Sequence, residues 1–365
     1  MQKRRLGRTD LQVSVVGFGG TWITQLSAAE ANVVIRKAFD LGINYFDTAR
    51  WDGDSEEKLG EALEHVGHQC IIATKTGSRT RRESLDDLKD SLRRLRTDRL
   101  DVIQLHGIDD EKTLAKAMGS EGSLQTCKEA RKEGLVDFIG IPGHKPRVLA
   151  KAVRTGEFDT VLVPLNVVTR QALEELLPTA KKHDVGVVVM KPYSAKTSNL
   201  VTCLYEPSLS LLSDEPELKA LLGKDNQERV RNALSYVLAQ EVSVVVPGLR
   251  SIEEVETAAR VGEEYEGLRH DEKERFSVRL GWDYCRDCGL CRPCPQNLDI
   301  AAVLRFHTLF AVYGLKNWSE KLYGGLEVGV ENCTKCGECE PKCPYKLPIV
   351  NMLRKAQKDL SDTSC

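Results

Sequence analysis

Eight of the twelve cysteines lie between residues 285 and 343, in two runs that each end in Cys-Pro. The first is Cys285-x2-Cys288-x2-Cys291-x2-Cys294-Pro295, and the second is Cys333-x2-Cys336-x2-Cys339-x3-Cys343-Pro344. Thiolates spaced in this way can wrap one face of an iron–sulfur cubane while backbone N–H groups turn toward its sulfurs. The fourth cysteine, fixed by the proline after it, reaches the other cluster. The spacing predicts two [4Fe–4S] clusters, one on Cys285, Cys288, Cys291 and Cys343, the other on Cys333, Cys336, Cys339 and Cys294. The alternative is two four-cysteine zinc sites, which usually draw on pairs of cysteines rather than runs of four. The first run is one residue shorter before its last cysteine. Cys70, Cys127, Cys203 and Cys365 read as ordinary buried or tail residues.

A second constellation lies upstream. Asp47 ends the run Ile43–Phe46, Lys75 ends Ile71–Thr74, and His106 ends Val102–Leu105. Each has a plain reading alone: a turn or cap aspartate, a solvated rim lysine, a core histidine. At consecutive strand ends they read together as a catalytic group. An Asp–Lys pair lowers the desolvation penalty of both partners and tunes a neighbouring acid.

The elements that must position these residues alternate. Apolar β-branched runs occur at Val13–Phe18, Ile43–Phe46, Cys70–Thr74, Val102–Leu105, Phe138–Ile141, Thr160–Val163, Gly186–Met190 and Val242–Val246. Amphipathic helical patterns separate them. Near-continuous apolar strands between helices imply a parallel sheet covered on its faces. Eight such units predict an α/β fold, a (β/α)8 TIM barrel. The competitor is a doubly wound open sheet, but no G-x-G-x-x-G follows the first strand. The predicted organisation is a barrel over 1–262, a helical linker over 263–281, and a small, mostly helical ferredoxin-like iron–sulfur domain over 282–365. A long mixed loop over 195–225 follows the seventh strand, and no repeat at fixed period is visible.

Composition narrows the partners. Lysine and arginine number 52 against 54 acidic residues, a net charge of −2. That balance argues against nucleic acid or a membrane surface as a partner. No apolar run reaches membrane-spanning length. The start, Met1–Asp10, lacks the apolar core of a signal peptide, which places the chain in the cytoplasm. In a reducing compartment clustered cysteines read as metal ligands.

These residues carry a family resemblance. Leu6-Gly7-Arg8-Thr9, Gly17-Phe18-Gly19-Gly20, Phe46-Asp47-Thr48-Ala49, Ser55–Gly60, Ala73-Thr74-Lys75, Leu105-His106-Gly107 and Val246-Pro247-Gly248 resemble the motifs of the aldo-keto reductase superfamily. The whole chain is similar to the branch with an added ferredoxin-like domain. The resemblance implies an Asp-Tyr-Lys-His active site and hydride transfer from a nicotinamide cofactor. Asp47, Lys75 and His106 match that pattern. Gap-free alignment puts Asp52 where the family has its proton-donating tyrosine. Carbonyl reduction needs a proton at the developing alkoxide, and an ordinary aspartate is ionised at neutral pH. The cofactor-binding set implied by the resemblance is Asn166, Lys191, Gly248, Arg250 and Ser251. Departures from it stand at Pro142, Leu162, Lys196 and Thr257, in place of a serine, a glutamine, a glycine and an asparagine.

Hydride transfer moves two electrons together, whereas an iron–sulfur cluster moves one. The leading reading is therefore a cytoplasmic iron–sulfur oxidoreductase of aldo-keto reductase fold. It would pass electrons between an external carrier such as ferredoxin and a small carbonyl- or carboxylate-bearing substrate, with Asp47, Asp52, Lys75 and His106 as catalytic residues. The second reading is an NAD(P)H-dependent carbonyl reductase with structural clusters. The third is a non-catalytic electron-transfer subunit.

Overall fold

The computed structural model describes residues 1–193, 222–276 and 284–361. The greater part of the loop predicted over 195–225 lies outside the described residues, as do Lys196, Cys203, Cys365 and the end of the predicted linker. The described residues form two compact units, one from 1–193 and 226–268, the other from 222–225, 269–276 and 284–361.

The first unit is a parallel barrel. An N-terminal hairpin, β1 (Lys3–Arg5) and β2 (Gln12–Ser14), precedes β3 (Phe18–Gly19), β4 (Tyr45–Asp47), β5 (Ile71–Thr76) and β6 (Leu100–Leu105). Then come β7 (Val136–Pro142), β8 (Thr160–Pro164), β9 (Gly186–Met190) and β10 (Val244–Val246). Strands β3 to β10 are neighbours in chain order, and every pairing is parallel. Parallel bridges from Val16 to Val245 and from Gly19 to Gly248 join the first strand to the last. Gly17 N donates to Val245 O at 2.8 Å and Gly19 N to Pro247 O at 2.9 Å. The closed sheet with helices between its strands is a (β/α)8 barrel, and the open-sheet competitor is set aside.

The predicted first strand, Val13–Phe18, divides in two. Val13 and Ser14 belong to the hairpin, and only Phe18 and Gly19 enter the barrel. Ser14 Oγ donates to Val16 O at 2.7 Å, bending the chain between them. Gly17 is required beyond the bend, because a Cβ there would lie 2.9 Å from Tyr45 O. The hairpin sends the fully buried Leu6 and Val13 into the same core cluster as Tyr45, Val102, Val188 and Val244. Gly7 bridges Val185, at the entrance to β9. The N-terminal end of the barrel is thereby plugged with apolar side chains, which leaves the C-terminal end for chemistry.

The second unit is built chiefly from the helices Ile300–Ala311, Lys316–Gly324 and Ile349–Ser361. It holds a repeat that a search at fixed period misses. Each cysteine run is followed by a buried helix, starting at Ile300 or Ile349. Left-handed residues recur at matching places: Asp287 and Gly289 against Lys335 and Gly337, then Asn297 against Lys346. The extra residue before Cys343 shifts the register between the halves. Among the described residues, no helix is long and apolar enough to cross a membrane.

Candidate functional site

Adjacent parallel strands bring distant polar residues to one end of the barrel. Asp47 closes β4 and Lys75 is the penultimate residue of β5. Lys75 Nζ donates to Asp47 Oδ2 at 2.5 Å and to Thr48 O at 2.6 Å. The pair is buried, with Lys75 at 5% and Asp47 at 7% exposure. Gln104 Nε2 donates to the other carboxylate oxygen of Asp47 at 2.7 Å. Sequence reasoning missed Gln104, although an amide inside the apolar run Val102–Leu105 was the signal. With both carboxylate oxygens engaged, the lysine is held in one place.

His106 follows β6. Burial, and then the charge of Lys75, push its imidazole down to about 3, so it is neutral at physiological pH. Its Nδ1 is buried without a hydrogen-bond partner. The Trp51 ring lies 4.7 Å from the imidazole, centroid to centroid. Trp51 is half exposed and rests on Gly77, where a Cβ would come within 2.1 Å of the indole. Arg79 reaches the carbonyls of both His106 and Gly107 and donates to Gly77 O at 2.8 Å, which ties the loops after β5 and β6 together.

Asp52 accepts from Thr21 Oγ1 at 2.9 Å. Burial raises its carboxyl above the usual aspartate range, while Lys75 and the Thr21 bond pull the other way. Asp52 thus faces the same charge as His106. A carboxyl shifted upward by burial, a neutral imidazole and a fixed ammonium can together polarise a substrate oxygen and exchange a proton with it.

A second polar chain, which takes in the expected residues Asn166 and Lys191 together with the unanticipated Asp109 and His144, crosses the strand ends. Asp109 accepts from His144 N at 2.5 Å and lies 3.2 Å from His144 Nδ1, and Lys191 Nζ lies 2.9 Å from His144 Nε2. Asn166 Nδ2 donates to Lys191 O at 2.9 Å. Lys191 adopts a left-handed backbone, φ 59°, a conformation disfavoured for a residue with a Cβ. Leu162 belongs to the apolar barrel core and offers no amide.

A dinucleotide on a barrel of this kind would set its phosphates on the loop after the last strand and on the helix N-terminus beyond it. Here that place is Gly248, Arg250, Ser251 and the helix Ile252–Glu264. Trp22 lies against Gly248, so that a Cβ there would fall 2.0 Å from the indole. Arg250 N donates to Glu254 Oε2 at 2.8 Å, and Arg250 Nε lies 3.5 Å from Glu254 Oε1. Ser251 Oγ accepts from Glu254 N at 3.2 Å. Among the described residues, Trp22 and Glu254 thus engage Gly248 and Arg250, two of the residues that the family resemblance assigns to the dinucleotide.

The cysteines fit clusters better. One cavity is lined by Cys285, Cys288, Cys291 and Cys343. A second is lined by Cys291, Cys294, Cys333, Cys336 and Cys339. The first cavity thus takes Cys343 from the second run, and the second takes Cys294 and the shared Cys291 from the first. The left-handed residues in both runs turn successive N–H groups to one side, a concavity suited to an anionic cluster. Asp287 N donates to Cys285 Sγ at 3.4 Å.

Comparison with known proteins agrees with this division. Residues 15–272 match the aldo/keto reductase family, and residues 262–347 match a 4Fe-4S dicluster domain. An uncharacterized oxidoreductase, YqkF of Bacillus subtilis, is 29% identical over 70% of this chain and 89% of its own length. L-galactose dehydrogenase of Arabidopsis thaliana is 30% identical over 76% of this chain and 93% of its own. The holo form of the aldo-keto reductase AKR11C1 from Bacillus halodurans superposes with a TM-score of 0.61 at 27% identity, covering 76% of this chain and 95% of that structure.

Proposed function

The chain belongs to the aldo/keto reductase family, and on that footing we propose that it is an iron–sulfur oxidoreductase acting on a small carbonyl- or carboxylate-bearing substrate at the barrel mouth. Its electrons come through two [4Fe–4S] clusters, exchanged with an external carrier such as ferredoxin, and not from a nicotinamide. The observation that carries this reading is the loop after the last strand, where Trp22 packs on Gly248 and Glu254 pairs with Arg250. The clusters, when bound, supply electrons one at a time. Cys285, Cys288, Cys291 and Cys343 would hold one, and Cys333, Cys336, Cys339 and Cys294 the other.

The barrel residues have separate tasks in this reading. Lys75, oriented by Asp47 and Gln104, fixes a substrate oxygen and stabilises the negative charge that develops on it. His106, neutral, offers a second hydrogen bond to that oxygen. Asp52, shifted by burial toward its neutral form, holds the proton that an alkoxide requires. Asp52 takes the place that a tyrosine holds in the family. Reducing a carbonyl to an alcohol consumes two electrons, delivered in two single-electron steps, and two protons, one passed to oxygen by Asp52 and one taken from solvent by carbon.

A second reading is a nicotinamide-dependent carbonyl reductase with structural clusters. It draws support from the similarity to L-galactose dehydrogenase. A nicotinamide titration of anaerobically purified, cluster-replete protein separates the two. The expected result is no saturable binding of NADH or NADPH at millimolar concentration, while dithionite reduces the clusters. Saturable binding with hydride-driven turnover of test carbonyls would overturn the proposal.

A further inference from the structure

The two cysteine-lined cavities differ in charge. Arg286 is the one charged side chain lining the first, among the described residues, and it is itself 7% exposed. Its guanidinium carbon sits 4.2 Å from the Tyr284 ring centroid and 4.9 Å from that of Tyr345. Nη1 donates to Tyr284 O at 2.7 Å. Two aromatic faces and a carbonyl therefore fix a buried cation on the wall of this cavity, a contact favoured by the ring quadrupoles. Asp287 carries the opposite sign nearby, but Arg305 Nη1 lies 3.6 Å from its carboxylate. Among the described residues the second cavity has no charged side chain on its wall. Proline, leucine, valine and glutamine surround its cysteines. Glu338 and Glu340 flank Cys339 in sequence, Glu340 accepts from Val350 N at 3.0 Å, and Lys342 Nζ donates to the wall residue Pro293 O at 3.2 Å.

We propose that Arg286 sets the order of the two clusters, making the one held by Cys285, Cys288, Cys291 and Cys343 the higher in potential and the resting place of the first electron. A cluster gains one negative charge on reduction. A buried guanidinium at its wall stabilises that charge strongly, because the surroundings screen it poorly. At the other cluster the acids Glu338 and Glu340 and the exposed cation Lys342 oppose one another, and none of them lines the cavity. The pair therefore forms a step: the cluster of Cys294, Cys333, Cys336 and Cys339 is the stronger donor, and the cluster beside Arg286 is the acceptor within the domain. Arg286 acts through the cluster and is a positioning residue, not a catalytic one.

The proposal rests on the reading of the cysteines as cluster ligands and needs neither the substrate nor the carrier. The test is an anaerobic redox titration of the full chain with mediators, followed by electron paramagnetic resonance, with iron and sulfide content measured in parallel. Wild type is expected to show two one-electron steps. Arg286→Gln should move the higher step downward by at least tenfold in equilibrium constant, about 59 mV, and leave the lower step in place. Arg286→Lys, which keeps the charge, should retain most of the wild-type value. Movement of the lower step, equal movement of both, or no movement would overturn the assignment. Should Arg286→Gln fail to keep its iron, the wild-type titration still decides. Steps separated by less than about 59 mV refute the ordering. Because no substrate enters the measurement, a failure here is distinct from a failure to reduce carbonyls.

Discussion

Removing Asp47 alone should harm the barrel more than removing Asp47 and Lys75 together. At 2.5 Å, and with an effective dielectric of about 20, the attraction between the two charges is about 7 kcal/mol gross. Desolvation of several kcal/mol per ion offsets most of it, so the intact pair contributes little net stability. The single variant Asp47→Ala is different. It leaves the Lys75 ammonium buried with Thr48 O as its remaining partner and strands the Gln104 amide. Breaking one side of such a pair costs about 3–5 kcal/mol, and the orphaned amide about 1 kcal/mol more. For a barrel of this size, 1 kcal/mol moves the midpoint by about 2–4 °C, so Asp47→Ala should melt about 15 °C below wild type. Asp47→Ala/Lys75→Met should recover more than half of that loss. The assay is far-ultraviolet circular dichroism at one fixed scan rate on the cluster-replete full chain. Cluster absorbance, recorded in parallel, keeps the second unit from being mistaken for the barrel. A double variant as unstable as Asp47→Ala would refute the reasoning, since it would show that the buried lysine is not what the aspartate compensates.

Two further outcomes follow from the same site. The His106 imidazole, held near 3 against an unfolded value of about 6.5, stays unprotonated while the unfolded chain takes up a proton. Its share of stability is therefore present above pH 6.5 and declines as pH falls toward 3, by about 1.4 kcal/mol per unit. The His106 C2–H resonance should stay at its neutral position from pH 8 to 5, and a midpoint near 6.5 would contradict the burial argument. Gly77→Ala places a methyl 2.1 Å from the Trp51 indole. It should displace Trp51 from His106, lose about 1 kcal/mol of ring contact and shift the tryptophan emission. Emission identical to wild type would show that Trp51 does not rest where Gly77 admits it.

Part of this architecture was legible along the chain. The alternation of apolar runs and amphipathic stretches specified a parallel barrel, because strand and helix periods are local properties. The cysteine spacing specified cluster chemistry, because a cubane dictates how close its ligands must be in sequence. Asp47, Lys75 and His106 were visible because each directly follows an apolar run, and barrel chemistry sits at such ends. Other features depended on closure of the sheet. The bend after Ser14 arises where the hairpin must plug the barrel and the next residues must pair with β10. The Gln104 bond to Asp47 and the chain from Asp109 through His144 to Lys191 join residues on different strands, which no local pattern encodes. The contacts of Trp22 with Gly248 and of Glu254 with Arg250 likewise join segments that no local pattern brings together. Arg286 becomes a buried cation only where Tyr284 and Tyr345 enclose it. The residue types and their local spacing thus set which elements form and which chemistry the chain can carry. The packing of elements far apart in sequence set which of those groups are buried, paired or blocked, because burial and Coulomb energy depend on distance in space and not on distance along the chain.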